Sequence, residues 1–362
     1  MTIFWPVPPW ILSMYQNYKF EFFLVVSILL ALNSPFVLAR ETLHVMAWPG
    51  YADADLVQAF EKRYKVNVEV TLIDSDDVMW SRLSAKKDVK FDVFAVNAAQ
   101  LQRYIDHGIS IPLTLSNIPN IAKQLPRFRD LSAIPGLTRN GKEYAIPYTY
   151  SEMGLIYDRK VFPKPPDSFS LMWDKRFQGR VLMYAGSDHN FSLAALVLGI
   201  KNPFQIPDAD FKRVSRHIIA LRRNVLTYYE KPEDASALFM QNQIALLFAN
   251  YGSQQVTLLQ NAGADIGYVI PEEGALAWLD CWSITRFAQN RTLAEAWINF
   301  TLEEQVSRAL TRRQGLPNTL EDSSTLHKAD KIIWLQQAED ISRRKSLWDK
   351  IISGEVLDGS WL

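Results

Sequence analysis

Few residues in this chain have the type and spacing to make or break a bond. The one cysteine, Cys281, stands beside Asp280, and His189 lies far along the sequence. A thiol nucleophile needs a base within reach. The plainer reading is that Cys281, inside the apolar run Trp278 to Thr285 (WLDCWSIT), is a small buried strand residue. Asp280 resists so plain a reading. A carboxylate between Leu279 and Cys281 must be paired or line a cleft. Adjacent tyrosines are a ferric-ion ligand pattern, and Tyr228-Tyr229 fits it. In the β-prone run Val225 to Tyr229, however, one ring packing and the other facing solvent accounts for both. No GxGxxG, Walker A, HExxH or GxSxG pattern occurs, and the five histidines are scattered at 44, 107, 189, 217 and 327. A single cysteine excludes an intramolecular disulfide and a CxxC zinc site. No cofactor or metal is implied, and the residues favour holding a ligand over transforming one. A secreted enzyme on a two-lobed scaffold is the lesser alternative.

The elements that would position Asp280 alternate in period. Leu43 to Trp48 predicts a strand, Asp53 to Tyr64 a helix, Val66 to Ile73 a strand, and Asp76 to Ala85 a helix capped by Ser75 or Asp76. Phe91 to Val96 predicts a strand, and Ala99 to Asp106 a helix that Gly108 ends. This βαβαβα order implies parallel pairing with right-handed crossovers. Pro112, Pro119, Pro126 and Pro135 mark a loop-rich stretch. Extended segments follow at Glu143 to Pro147 and Leu155 to Asp158. A second α/β series then runs through strands at Arg180 to Tyr184, Ile244 to Ala249, Ala264 to Ile270 and Trp278 to Thr285. Its helices are predicted at His189 to Gly199, Asp208 to Arg223, Ala235 to Gln241, Leu293 to Leu302, Glu303 to Arg312 and Asp330 to Ile352. Two α/β halves with short connections imply a ligand crevice at the carboxyl ends of the strands.

The 362 residues carry 39 Lys+Arg and 39 Asp+Glu, a formal net charge of zero. Broad nucleic-acid binding needs a positive field and is disfavoured. Residues 22–39 (FFLVVSILLALNSPFVLA) follow Lys19 and end on Val37-Leu38-Ala39. A basic flank, an apolar core and an A-x-A-like end predict an export signal over 1–39, cleaved near Ala39. The uninterrupted run from Phe22 to Leu32 is short for a span of about 20 residues. Met14 opens a compact signal of its own and is a candidate true start. No cysteine near the cleavage point predicts a lipid anchor, so a periplasmic location follows.

Trp48-Pro49-Gly50-Tyr51, Asn97-Ala98-Ala99, Ile146-Pro147-Tyr148-Thr149-Tyr150, Pro271-Glu272-Glu273-Gly274-Ala275 and Trp278-Leu279-Asp280 occur in that order. In order and spacing the chain resembles the polyamine-binding periplasmic proteins of ABC importers (the spermidine/putrescine-binding family) over residues 41 to 355. The resemblance implies a type II periplasmic binding fold: two α/β lobes, each a mixed, mainly parallel sheet flanked by helices, with the ligand between them. Lobe 1 is expected at 40–147 plus 279–317 and lobe 2 at 148–278 plus 318–362. The implied ligand is a small amine such as putrescine or spermidine, boxed by aromatics and held by carboxylates. The implied partner is an inner-membrane ABC permease, and the implied state is a monomer.

Carried over by position, Trp48, Tyr51 and Trp278 are aromatic walls, Asn97 a polar contact and Asp280 the main ammonium partner. Asn250 and Tyr251 follow a second-lobe strand, and Trp348 or Asp349 is a last contact. Three places where relatives tend to carry acids hold Gly50, Gly186 and His189. Asp188 either substitutes or caps the helix that follows it. His189 would serve a ligand carboxylate if protonated, or act as a neutral donor. Fewer acids make a diamine, a monoamine or an ω-amino acid a better fit than spermidine. Another small solute, such as ferric ion, is a further alternative.

Overall fold

The computed structural model describes residues 40–85, 89–323, 325–326 and 331–354. The expected export signal therefore lies outside the described residues. The chain divides at Glu41/Thr42, and every element below belongs to the part from Thr42.

β1 (Thr42–Ala47), α1 (Ala54–Tyr64), β2 (Asn67–Leu72), α2 (Asp76–Leu83), β3 (Val93–Asn97), α3 (Ala98–Asp106) and β4 (Ser110–Ile111) follow in the order the periodicity predicts. The proline-rich stretch forms short 3-10 turns and α4 (Pro126–Arg129), then the hairpin of β5 (Thr138–Arg139) and β6 (Lys142–Glu143). β7 (Ala145–Met153), β8 (Leu155–Asp158), β9 (Val181–Tyr184), α5 (Ser187–Val197), α6 (Asp208–Leu221), β10 (Val225–Tyr229) and α7 (Pro232–Gln241) come next. β11 (Leu246–Phe248), α8 (Gly252–Asn261), β12 (Ile266–Val269), β13 (Ala275–Thr285), α9 (Arg291–Thr301), α10 (Glu304–Gln314), β14 (Ile332–Trp334) and α11 (Ile341–Ser353) complete the order.

The strands form two large sheets. The first runs β14-β13-β3-β1-β2, with β4 and β7 also pairing β13; the second runs β10-β9-β11-β8-β12. β1 is parallel to β2 and β3, whereas β13 is antiparallel to β3 and β7. In the second sheet β9 is parallel to β10 and β11, while β8 is antiparallel to β11 and β12. Antiparallel pairing is thus more prominent than the alternation of strands and helices implies. The antiparallel strands β7, β8 and β13 are those that carry the chain between the sheets.

Three passes join the sheets. β7 belongs to the first and β8 to the second, with only Gly154 between them. A Cβ on Gly154 would come within 2.5 Å of the Tyr268 ring, so the pass needs glycine. The chain returns between β12 and β13. It leaves again after α10, passing through β14, and ends with α11 packed on α5 and α6.

Three elements depart from the sequence reading. β7 continues through Pro147, where a strand end is expected. The ladder with β13 shifts register there, Asp280 opposing Thr149 and Cys281 opposing Pro147. A bulge is where a residue without an N–H fits an inner strand. α8 falls in a stretch to which the sequence reading assigns no element; its opening Gly-Ser-Gln-Gln shows no apolar stripe. The helix expected over Asp330 to Ile352 is instead β14 followed by α11.

The core is aromatic. Phe60 of α1 meets Trp297 edge-on at 5.1 Å and Phe300 at 5.4 Å. Truncating such a ring to alanine costs about 3–5 kcal/mol. Phe191 stacks on Phe211 at 5.4 Å in the second unit of packing. There the fully buried Arg344 ties α11 down. Its guanidinium pairs with Glu339 at 2.5 Å and donates to Ser192 Oγ at 2.9 Å and to the carbonyls of Asp188, Pro203 and Phe204.

Candidate functional site

Asp280 is the one charged residue of β13, and its pairing partner across the ladder is Asn97, the last residue of β3. The bulge in β7 falls opposite this point. Asp280 is 8 % exposed, and both its oxygens are used. Tyr51 Oη donates to Oδ2 at 2.7 Å, and Asn97 Nδ2 donates to Oδ1 at 3.1 Å. Asn97 Oδ1 accepts the Ala99 N–H at 3.0 Å, so capping α3 fixes the amide's orientation. Burial pushes the Asp280 carboxyl up to about 6, against the opposing effect of the two hydrogen bonds. The same burial, with Asp280 alongside, drives the Tyr51 hydroxyl well up. Among the described residues no basic side chain is a partner of Asp280.

Aromatic rings surround this carboxylate. Tyr51 meets Tyr148 edge-on at 5.4 Å and Trp282 at 6.5 Å. Trp48 is partly buried, packed on the core, with an indole N–H shut from solvent and no hydrogen-bond partner. Trp278, two residues before Asp280 and on the same face of β13, donates Nε1–H to the Asn250 carbonyl at 2.9 Å. That bond reaches from the first sheet to the loop after β11 in the second.

The second sheet contributes an aromatic group of its own. Tyr184, at the end of β9, lies 6.0 Å from Tyr251, 5.3 Å from His189 and 5.7 Å from Tyr229. Tyr251 Oη donates to the Glu230 carbonyl at 2.9 Å. Asn250 is buried, and its Oδ1 has no hydrogen-bond partner among the described residues. Burial first raises the Tyr184 hydroxyl, and the charge of Asp76 at the start of α2 adds to it.

Asp76 carries a signal the sequence reading missed. It begins α2, but Ser75 is the cap: Ser75 Oγ accepts the Val78 N–H at 3.3 Å. The residue as a whole is partly buried, yet its Oδ1 is shut from solvent and has no hydrogen-bond partner. Burial first, then the Asp280 charge, push its carboxyl up to about 7. Nothing but burial distinguishes it in sequence from an ordinary first-turn acid.

The remaining expected contacts are not among the partners of Asp280 in the described residues, although His189 packs against Tyr184. Asp188 is buried by its surroundings, but its electrostatic neighbours are Arg344 and Glu339, which place it on the α11 side of α5. His189 is held down to about 4 by burial and by Arg344, so it is neutral and cannot offer a cation to a ligand carboxylate. Asp349 is exposed on α11, paired with Lys345 at 3.0 Å, and is not brought to the cluster. Its neighbour Trp348 is buried against Tyr228, edge-on at 5.0 Å.

The two glycines at places where acids were anticipated are explained by neighbours. A Cβ on Gly50 would lie 2.4 Å from the Gln314 side chain, and Gly50 has a φ of +85°. A Cβ on Gly186 would lie 2.5 Å from His189 Nδ1 and 2.6 Å from the Tyr184 ring. Neutral side chains therefore occupy both spaces.

The nucleophile and iron alternatives find no support in the geometry. Burial pushes the Cys281 thiol well up, away from the thiolate. Tyr229 Oη is buried, donating to the Phe248 carbonyl at 2.6 Å, while Tyr228 faces Trp348. Among the described residues no cluster of His, Cys, Asp or Glu is placed to hold a metal.

Two α/β sheets joined by three passes, with acids and aromatics at facing strand ends, define a two-lobed solute-binding protein. The chain belongs to the family of bacterial extracellular solute-binding proteins, which it matches over residues 55–334. It is 23 % identical over 279 residues to the spermidine/putrescine-binding periplasmic protein of Escherichia coli K12, covering 77 % of each chain. It is 26 % identical over 296 residues to the putrescine-binding periplasmic protein SpuD of Pseudomonas aeruginosa, covering 77 % of this chain and 78 % of that one. The PotD substrate-binding protein of a Streptococcus pneumoniae spermidine/putrescine ABC transporter shares the fold. Its TM-score is 0.70 at 19 % identity, over 86 % of this chain and 99 % of that one. Relatives of this kind bind small molecules and work with membrane permeases. Among the described residues no helix is long and apolar enough to cross a membrane.

Proposed function

We propose that this protein is the periplasmic receptor of an ABC importer for a small amine of the putrescine class, delivering it to an inner-membrane permease as a monomer. The observation that carries this reading is Asp280: a buried carboxylate, fixed by Tyr51 and Asn97, with Trp278 two residues before it on the same strand face and no basic side chain among its partners in the described residues. A desolvated acid of this kind is matched by a ligand ammonium. The aromatic faces suit the methylene chain, and each adds about 0.5–2 kcal/mol where it lies under a cation.

The lobes part across β7 and β13, with 40–147 and 279–317 on one side and 148–278 and 318–362 on the other. The bulge at Pro147 supports a bend there. Closure about it lets a ligand touch Asp280 and Asn97 from one lobe and Tyr184, Asn250 and Tyr251 from the other, which stabilises the closed form. No bond of the ligand changes.

Calorimetric titration with putrescine, cadaverine, spermidine and 4-aminobutyrate tests the reading. Binding of at least one amine is expected, with loss of that binding in Asp280→Asn. An amine bound equally well by the variant refutes the role of Asp280.

A further inference from the structure

The first sheet places β3, β1 and β2 side by side, so the residues after their carboxyl ends share one rim. Asn97 ends β3, Trp48 follows β1, and Asp76 follows β2. Asp280 stands beside Asn97 at the other end of this rim. Asp76 and Asp280 therefore stand on one rim of the first sheet, and the negative charge of Asp280 adds to the burial that raises the Asp76 carboxyl.

A structural role does not account for Asp76. Ser75 performs the capping of α2. Acids in a first helical turn are favoured by the helix dipole, but at the surface, where water completes their solvation. The Asp76 Oδ1 is closed off from water and accepts no hydrogen bond. The charged and titratable groups around it are Asp77 on its own helix, Arg103 and Tyr104 on α3, Asp280 on β13 and Tyr184 on the second sheet. Arg103 is the one cation in that set, and it lies over the Trp80 ring at 3.6 Å from its centre, making no ion pair with Asp76.

We propose that Asp76 is a second ligand carboxylate, and that with Asp280 it makes the cleft selective for a small diamine over a monoamine or an ω-amino acid. This rests on the amine-receptor reading above. Two acids with no ion-paired cation among the described residues call for two positive charges. An ω-amino acid would bring a third carboxylate to this wall, and the neutral His189 offers it no counter-charge. The acids missing at positions 50 and 186 are thereby replaced from α2, an element outside the motifs that carry the family resemblance.

Binding of a dication ionises both acids, so it expels protons. With one carboxyl near 7 and the other near 6, a diamine releases about one proton per site at about pH 6.5. The test is calorimetry of the purified protein with putrescine, n-butylamine and 4-aminobutyrate, in buffers of different ionisation enthalpy. The wild type is expected to prefer putrescine to n-butylamine by at least about tenfold. Asp76→Asn is expected to bring the two within about threefold and to cut proton release to about a quarter. Asp76→Glu, which keeps the charge, should retain the preference. If the wild type binds putrescine and Asp76→Asn leaves preference and proton release unchanged, Asp76 is not a ligand group. If the wild type binds no amine, the amine-receptor reading falls, and this inference with it. Should Asp76→Asn fail to fold, wild-type proton release decides: a value at or below about a quarter of a proton, the share of Asp280 alone, overturns the proposal.

Discussion

Asp280→Asn separates what the carboxylate does for the ligand from what it costs the fold. In the unfolded chain this acid ionises at its ordinary 3.8, and in the folded protein burial holds it near 6. The folded state therefore binds more protons between those values, and stability falls as pH rises through the window. Above it the ionised carboxylate costs the ligand-free fold about 3 kcal/mol. The amide removes that cost. It can keep its oxygen towards one donor, Tyr51 or Asn97, and disrupts the other bond for about 1 kcal/mol. The variant is expected to be about 2 kcal/mol more stable than wild type at pH 8 without ligand, and about 0.5 kcal/mol less stable at pH 4, where the unfolded acid is already more than half ionised. Urea unfolding across this range, with and without putrescine, measures both sides. Ligand at a hundred times its dissociation constant should add about 2.7 kcal/mol to wild type and almost nothing to the variant. A wild-type-to-variant difference that stays flat with pH would refute the burial argument.

Three further outcomes follow from the geometry. His189→Gln should leave the pH dependence of amine affinity unchanged between about pH 5.5 and 8, because a histidine held down to about 4 is neutral throughout; loss of a transition near the ordinary imidazole value contradicts this. Arg344→Ala should cost about 3–5 kcal/mol by urea unfolding, since it removes the buried partner of Glu339 and the donor to Ser192 Oγ and to the carbonyls of Asp188, Pro203 and Phe204; a loss below about 1 kcal/mol shows the clamp to be dispensable. Gly50→Ala should cost about 1–2 kcal/mol, from its positive φ and its approach to Gln314, and Gln314→Ala in the same chain should recover part; an unchanged midpoint refutes the steric account.

Much of this architecture is written in local periodicity. The alternation from β1 to α3, and the series from β9 to α10 apart from α8, can be read from apolar spacing and, in β11 and β13, from apolar runs buried on both faces. Asp280 was also legible: a charge between Leu279 and Cys281 contradicts its strand unless it serves something. What was hidden depends on neighbours far along the chain. Asp76 looks like any helix-opening acid, and only the packing of β13 and β9 residues around it reveals its burial. α8 has Val256 and Leu259 as its buried apolar anchors and opens on polar residues, so its helical stripe is faint. Pro147 reads as a strand end until the bulge that accommodates it is seen. Asp349 has a family position to recommend it, but Lys345 one turn earlier already supplies its partner.

The place of β13 in the first sheet has a consequence for how the molecule is made. β3 is formed by residue 97, yet the strand that covers its outer edge ends at residue 285, with the whole second sheet encoded between. Until β13 arrives, β3 offers an open edge to any strand that passes. Pairing at such separation is slow to nucleate, since a loop of that length must close first. The nascent chain therefore stays unlocked until most of it has been synthesised. The same late strand brings Asp280, so the ligand site and the finished sheet come into being in one event.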